Sequence, residues 1–131
     1  MVTCLIKKIL VATDFSENAN RALDKALELA DKLNASVTLL KVITVFIKEQ
    51  EHRQALTEAV NKAKKENPNI AINELIDYAG ENPAGIIIKI AEDFDLVVVG
   101  HRGLSGLQEL FMGSVSERVV HLSRKPVLVV P

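Results

Sequence analysis

The sequence lacks the features that mark several large classes of protein. Its one cysteine, Cys4, cannot form an internal disulfide and is typical of a protein kept in a reducing interior. We expect Cys4 to be a buried, unreactive thiol. No apolar run approaches the roughly 18 residues of a membrane span, and the lysines within "MVTCLIKKILVAT" are misplaced for a signal peptide. These absences predict a cytoplasmic protein.

An excess of charge of either sign is also missing. The chain has 16 basic and 17 acidic residues, which gives a formal net charge of −1. A general binder of nucleic acid or of anionic membranes needs a basic excess, so we expect neither partner. The 131 residues are 48% hydrophobic, which is enough for one core, and no repeat or linker divides them. We therefore expect one domain over residues 1–131.

Short apolar segments alternate with amphipathic ones along the chain. The predicted strands are "CLIKKILVAT", "SVTLLKVI", "NIAINELIDY", "DLVVVG" and "PVLVVP". The first, fourth and fifth are almost continuously hydrophobic, as is typical of strands buried on both faces of a parallel sheet. The third is more polar, and its register stays open. Strict alternation with helices predicts right-handed crossovers and a doubly wound α/β sheet.

Apolar residues spaced by three and four positions predict the four helices. Asn82 is expected to cap the third helix with Pro83 at its first position, and "NPN" at 67–69 is expected to end the second. The fourth is expected to begin near Ser114. The predicted inner faces comprise Ala19, Ala22, Leu23, Ala26, Leu27, Ala30 and Leu33; Ala55, Leu56, Ala59, Val60 and Ala63; Ile86, Ile87, Ile90, Ala91 and Phe94; and Val115, Val119 and Leu122.

Two segments lie where doubly wound sheets bind ligands, beyond the carboxyl ends of strands: "ATDFS" and "GHRGLSGLQELFMGS". Glycines let backbone N–H groups turn towards a ligand, and such groups at a helix start bind phosphate. Ser114 could therefore bind phosphate, or it could cap the fourth helix in a capping box with Glu117. Asp14 has a similar alternative as the cap of a helix that begins near Ser16.

Several familiar motifs are missing from these segments. No lysine follows Gly113 as in a Walker A loop, and no G-x-G-x-x-G follows the first strand. A phospho-accepting receiver domain needs clustered carboxylates after the first strand, whereas Asp14 stands alone. His101 has no second ligand at metal-binding spacing, so we do not expect a zinc site.

The glycine spacing does match one family. Gly100, two residues, Gly103, nine residues, Gly113 and Ser114 form G-x2-G-x9-G-S/T, the pattern of the ATP-binding branch of the universal stress protein family. "ILVATDFSENANRALDKALELA" resembles the opening strand and helix of that family, and "LVVVGHRGLSG" with "GSVSERVVHLSRKPVLVV" resembles its closing half. The resemblance implies a single five-stranded parallel sheet of order 3-2-1-4-5 with four helices, Rossmann-like in its winding.

The same resemblance implies an adenine-nucleotide site for ATP, with Mg²⁺ or Mn²⁺ bound through the phosphates. Asp14 would lie beside the adenosine part, and the backbone of Val42 would meet the adenine edge. Arg102, between two motif glycines, could pair with a phosphate or remain a solvated charge. The ribose and phosphate contacts would come from Gly100, Gly103, Gly113, Ser114 and Val115.

Two further expectations concern partners. An uncovered apolar strand at a sheet edge invites pairing, and in this family the fifth strand commonly pairs with its mate, so we expect a homodimer through residues 126–130. Val45, Phe46 and Ile47 are apolar in a predicted loop and could cover the mouth of the pocket or contact a partner.

The function stays open between two classes. One is a stress-response protein that binds ATP and changes its shape or its protein partner with nucleotide state. The other is a slow ATPase or phosphotransfer enzyme that uses the same pocket. Rapid catalysis is not expected, because Asp14 would lie too far from the terminal phosphate to orient a water molecule. A member that has lost nucleotide binding is a further alternative.

Overall fold

The structure is a computed structural model that describes residues 5–44, 47–80, 82–102 and 112–131. Strand and helix alternate as β1 (Lys8–Ala12), α1 (Glu17–Leu33), β2 (Ser36–Ile43), α2 (Glu49–Glu66), β3 (Ile72–Tyr78), α3 (Pro83–Ala91), β4 (Leu96–Gly100), α4 (Ser114–Leu122) and β5 (Val127–Val130). All five strands are parallel in the order β3-β2-β1-β4-β5. The predicted doubly wound fold is confirmed.

The central strands are buried on both faces. In β1, Ile9 and Val11 pack with α1 and α2, while Leu10 packs with α3 and α4. All five residues of β4 are buried as well. The fifth hydrophobic run differs from the prediction, because residues 127–129 of β5 are only half-buried. The reason is its place at the edge of the sheet, where β4 is its one neighbouring strand among the described residues.

Helices α1 to α3 bury the faces that the periodicity predicts. The cap of α3 is also confirmed, since Asn82 Oδ1 accepts a hydrogen bond from the N–H of Gly85, and Pro83 opens the helix. Helix α2 ends at Glu66, just before "NPN". The buried members of the three predicted faces are Ala19, Ala22, Ala26, Leu27 and Ala30; Leu56, Val60 and Ala63; and Ile87, Ala91 and Phe94, the last of which follows the end of α3.

Helix α4 departs from the prediction. Val119 is fully buried, but Val115 is 37% exposed and Leu122 is 58% exposed. The helix has nine residues and packs inwards only through its middle. Val115 lies in the first turn beside a cavity, and Leu122 is the last helical residue. Periodicity therefore identified an apolar stripe but not how much of it is covered.

The third strand resolves the register that the sequence left open. Ile70 and Ile72 are buried as predicted. Leu75 packs with the layer of α3 and α4, and Ile76 packs with the layer of α1 and α2, so β3 contributes to both faces. Cys4 lies outside the residues that the structure describes, so its predicted burial stays a prediction. None of the helices in the described ranges is long and apolar enough to cross a membrane.

Candidate functional site

A cavity of about 290 Å³ opens at the carboxyl edge of the sheet, where β1 and β4 lie side by side and the winding reverses. The segments after β1, β2 and β4 line it together with the first turns of α3 and α4. Its described lining residues are Ala12, Thr13, Asp14, Ala19, Leu40, Lys41, Val42, Thr44, Pro83, Ile87, Val99, Gly100, Arg102, Gly113, Ser114, Val115 and Ser116. The two segments singled out in the sequence thus meet in one crevice.

Most of the predicted site residues lie in this lining. They are Asp14, Val42, Gly100, Arg102, Gly113, Ser114 and Val115. Gly103 lies outside the described residues, as do Val45 and Phe46. Ile47 is 72% exposed and does not line the cavity, so it does not cover the mouth.

Asp14 forms the corner of a turn between β1 and α1. Its Oδ1 accepts a hydrogen bond from the N–H of Ser16 at 3.0 Å, and Thr13 Oγ1 accepts one from the N–H of Phe15 at 3.0 Å. Ser16 itself caps α1, since its Oγ accepts from the N–H of Ala19 at 3.1 Å. The alternative role of Asp14 as the helix cap is therefore wrong. A carboxylate has about four lone pairs, so the one bond from Ser16 does not exhaust what it can accept.

The backbone of Val42 lies just beyond the last pairing of β1 with β2. Thr13 N–H donates to the carbonyl of Leu40 at 2.9 Å, and on the other side Ala79 N–H donates to the carbonyl of Ile43 at 3.0 Å. Alternate residues of a parallel strand bond to opposite neighbours. The N–H and C=O of Val42 therefore point to the side where β1 has ended, and no described residue bonds to them.

The start of α4 presents a row of backbone donors. Gly113 is the N-cap residue in extended backbone, with φ −63° and ψ 151°, and no side chain caps the helix. Its N–H donates to the carbonyl of His101 at 2.8 Å. The capping box is therefore wrong, because Ser114 is the first residue of the helix and not its cap. The N–H groups of residues 114–116 have no acceptor within the described ranges.

Gly100 is required by helix packing. A Cβ at this position would lie 2.8 Å from the backbone carbonyl carbon of Asn18 in α1, which is closer than real Cβ contacts. Ser116 Oγ also donates to the carbonyl of Gly100 at 2.6 Å, which ties α4 to the end of β4. Ser116 was not predicted as a site residue. Its hydroxyl in the first turn of the helix was the signal that could have identified it.

The described lining contains three charged residues, Lys41, Arg102 and Asp14, of which Asp14 is the one carboxylate. The Nζ atom of Lys41 lies over the ring of Phe15, which packs into the layer of α1 and α2. Burial lowers the pKa of Lys41, and the charge of Asp14 partly opposes that shift. Lys41 was missed in the sequence, because a single lysine in a strand carries no motif.

Comparison with known proteins identifies the fold and the lineage. The model of the Universal stress protein family matches residues 5–131. This chain belongs to the universal stress protein family. Universal stress protein YxiE of Bacillus subtilis is 36% identical over an alignment of 150 positions, gaps included, which covers 96% of this chain and 99% of YxiE.

Two solved members of the family bear on the cavity. A universal stress protein in complex with cAMP is 29% identical, with a TM-score of 0.77 over 96% of this chain and 97% of that one. The universal stress protein from Archaeoglobus fulgidus in complex with dAMP is 25% identical, with a TM-score of 0.75 over 97% of this chain and 99% of that one. Both ligands are adenine nucleotides.

The described lining of this universal stress protein can bind a ligand of mixed chemistry. A backbone donor and acceptor at Val42 suit a planar polar group, and apolar side chains of Leu40, Ile87 and Val99 surround it. The donors of residues 114–116 suit an anion. A ligand with a planar base and a negatively charged group would satisfy both.

Proposed function

We propose that this universal stress protein binds an adenine nucleotide in the cavity at the carboxyl edge of the sheet, with ATP as its working ligand. The observation that carries the proposal is the union, in one cavity, of open backbone groups at Val42, the carboxylate of Asp14 and the uncapped start of α4. The family members solved with cAMP and dAMP support the same ligand class.

The open edge at Val42 suits adenine better than guanine. Adenine carries an acceptor at N1 beside a donor at N6, which complements one backbone N–H and one C=O. Guanine carries a donor at N1 and an acceptor at O6, so its order is reversed. Leu40, Pro83 and Ile87 supply apolar contacts for the ring faces.

The remaining predicted residues are assigned to the ribose and the phosphates. Asp14 accepts from the ribose hydroxyls, while the N–H groups of residues 114–116 and the positive end of α4 bind the phosphates. Arg102 adds a cationic contact. The part of the site that contacts the ribose and the phosphates is completed by Gly100, Gly103 and Gly113, with the hydroxyl of Ser114 and the backbone of Val115.

A divalent cation, Mg²⁺ or Mn²⁺, is proposed to accompany ATP. The described ranges contain no group of three histidine, cysteine or acidic residues that could hold a metal ion. Phosphate oxygens are hard ligands of the kind Mg²⁺ prefers, and the Ser114 hydroxyl is a protein oxygen of the same type. When bound, the cation would neutralise part of the phosphate charge.

We assign the protein to the cytoplasm as one domain over residues 1–131. There it acts as a nucleotide-dependent switch or binding module of the stress response, with a protein partner still to be identified. Hydrolysis has less support, because Asp14 is the sole carboxylate in the described lining and lies at the proposed adenosine end. The lone cysteine and the balanced charge support the assignment to the cytoplasm.

A homodimer through residues 126–130 is part of the proposal. Pro126 and Val130 carbonyls accept from β4 and the residue that follows it, so the even-numbered residues of β5 face that neighbour. By the alternation of a parallel pair, the backbone groups of Val127 and Val129 face the outer edge. A second copy can pair with that edge.

Two measurements test the proposal. Heat release of small molecules from the purified protein, followed by mass spectrometry, is expected to yield an adenine nucleotide. Calorimetric titration is expected to rank AMP over IMP by about tenfold, because IMP loses the N6 donor and leaves a carbonyl unpaired. GMP should bind more weakly still.

The same titrations define the contradicting result. Equal affinity for AMP and GMP would contradict the adenine preference assigned to Val42, and no binding of either would favour a member that has lost nucleotide binding. Incubation of the protein with ATP and Mg²⁺ then separates the two function classes. We expect ATP to stay intact, whereas steady release of phosphate would favour the slow ATPase.

A further inference from the structure

A bulky aromatic residue occupies a strained backbone position next to Asp14. Phe15 has φ 65°, in the left-handed region that favours glycine and asparagine. Two other described residues share this conformation, Asn34 at the end of α1 and Lys48 at the start of α2. Phe15 lies instead within the turn that carries Asp14. Such a conformation persists only where surrounding contacts enforce it.

The ring of Phe15 is contacted by two other elements. The Nζ atom of Lys41, from β2, lies 5.5 Å from the ring centroid. The ring of His52, from α2, stacks with Phe15 at 6.5 Å between centroids and 10° between planes. Phe15 also packs against the core layer of α1 and α2. We call Phe15, Lys41 and His52 the Phe15 stack.

The side chains of Asp14 and Phe15 lie on opposite sides of the sheet. Asp14 lines the cavity, whose apolar wall belongs to the layer of α3 and α4, while Phe15 packs into the layer of α1 and α2. The bonds from Phe15 N–H to Thr13 and from Ser16 N–H to Asp14 fix the backbone between them. Anchoring the ring on one side therefore holds the carboxylate on the other.

We infer that Phe15 is a positioning residue whose ring, held by Lys41 and His52, fixes the Asp14 carboxylate for the ribose of the bound nucleotide. This inference rests on the proposed function. Its physical basis is pre-organisation: a carboxylate held in place loses less freedom on binding than one on a mobile turn. The strain at Phe15 is then a cost of keeping Asp14 in place.

The test compares AMP with 2′,3′-dideoxy-AMP, which lacks both hydroxyls that Asp14 could accept from. For the wild type, calorimetry should show AMP binding about tenfold tighter, the value of a hydrogen bond to a charged group. Asp14→Ala should remove most of that ratio. Phe15→Ala should lower it below about threefold although the carboxylate is intact. Phe15→Tyr retains the ring and should retain the ratio.

A matched control is available at the other edge of the sheet. Phe94 is a buried ring that Lys8 Nζ approaches to 4.9 Å, and it lies outside the cavity lining. Phe94→Leu should lower stability and leave the AMP ratio unchanged. A role of Phe15 that was merely structural would give the same pattern as Phe94.

The outcomes separate the inference from the proposed function. If the wild type binds AMP with the expected ratio and a folded Phe15→Ala variant keeps it, the inference is wrong and the proposed function stands. His52→Ala changes a half-exposed residue and provides the readout if Phe15→Ala does not fold; an unchanged ratio there also overturns the inference. Failure of the wild type to bind AMP would overturn both.

Discussion

The two edges of the sheet at which its strands begin and end, the amino edge and the carboxyl edge, differ in how their backbone groups are paired. At the amino edge, the Asp95 carboxylate accepts from the N–H groups of Lys7 and Lys8 at 2.9 and 3.0 Å, and these bonds lower the pKa of Asp95. At the carboxyl edge, the N–H and C=O of Val42 and the N–H groups of residues 114–116 have no partner among the residues described. One edge is closed by the protein's own side chain, and the other is left open.

The difference supports the proposed place of the ligand. Backbone polar groups in folded proteins are nearly always paired, so several open ones around a single cavity are a stronger sign of a site than glycine content. Gly100 is explained by its close approach to α1, and Gly113 has extended backbone with its N–H already engaged. The open groups, rather than the glycines, distinguish the carboxyl edge.

The largest expected effect concerns the packing of that edge. Gly100→Ala should lower the free energy of unfolding by about 2–3 kcal/mol, because its Cβ would meet the Asn18 backbone at 2.8 Å. Gly80→Ala is the control, since nothing lies within 4 Å of a Cβ there, and it should change stability by less than about 0.5 kcal/mol. Urea denaturation measures both. Equal effects would contradict the packing role of Gly100.

Replacing the acidic residue at each edge by alanine, one at a time, sharpens the comparison. Asp14→Ala should weaken AMP binding by about 30-fold, since a charge-assisted hydrogen bond is lost from the open edge. Asp95→Ala should lower stability and leave AMP affinity unchanged, because it lies at the closed edge. Calorimetry with denaturation separates the effects. Loss of AMP affinity in Asp95→Ala would show that the edges are not independent.

The closed edge should also respond to acid. The folded-state pKa of Asp95 is lowered, so its stabilising contribution is present above the unfolded pKa of about 3.9 and is lost as pH falls through the folded pKa. The stability difference between wild type and Asp95→Asn should therefore shrink in acid. Denaturation series at several pH values measure it. A difference that does not vary with pH would rule out the charged hydrogen bonds as its cause.

The smallest effect on the folded subunit is expected at the outer edge of β5. Val129→Pro removes an N–H that faces away from β4, a place where proline is tolerated in an edge strand. Leu128→Pro is the contrasting variant, because residue 128 bonds to β4 and its change should destabilise the fold. Sedimentation at micromolar concentration should show a wild-type dimer and a Val129→Pro monomer. A monomeric wild type would contradict the homodimer.

Much of the architecture could be predicted from the sequence, because it depends on local patterns. Hydrophobic runs identified β1 and β4, and the winding placed the cavity beyond their ends. The capping box failed because α4 begins one residue earlier than the box requires, with Gly113 as its cap. Non-local bonds fix Gly113, since its N–H bonds to His101, whose own N–H bonds to Val130. Nothing in "SVSE" reveals those contacts.

The left-handed backbone of Phe15 could not be predicted from the sequence either. A left-handed residue is ordinarily predicted from glycine or asparagine, whereas Phe15 is held there by contacts from β2 and α2. Those elements are brought together only in the folded sheet. The exposure of Leu122 was missed for a similar reason, since helical periodicity does not show where the covering layer ends.

Amide hydrogen exchange with and without AMP tests the central claim most directly. If the open backbone groups receive the nucleotide, exchange at Val42 should slow by about 100-fold when AMP is present at about 100 times its Kd. The amides of Lys7 and Lys8, already bonded to Asp95, should show no ligand-specific protection beyond that of the whole fold. Unchanged exchange at Val42 under saturating AMP would contradict the account.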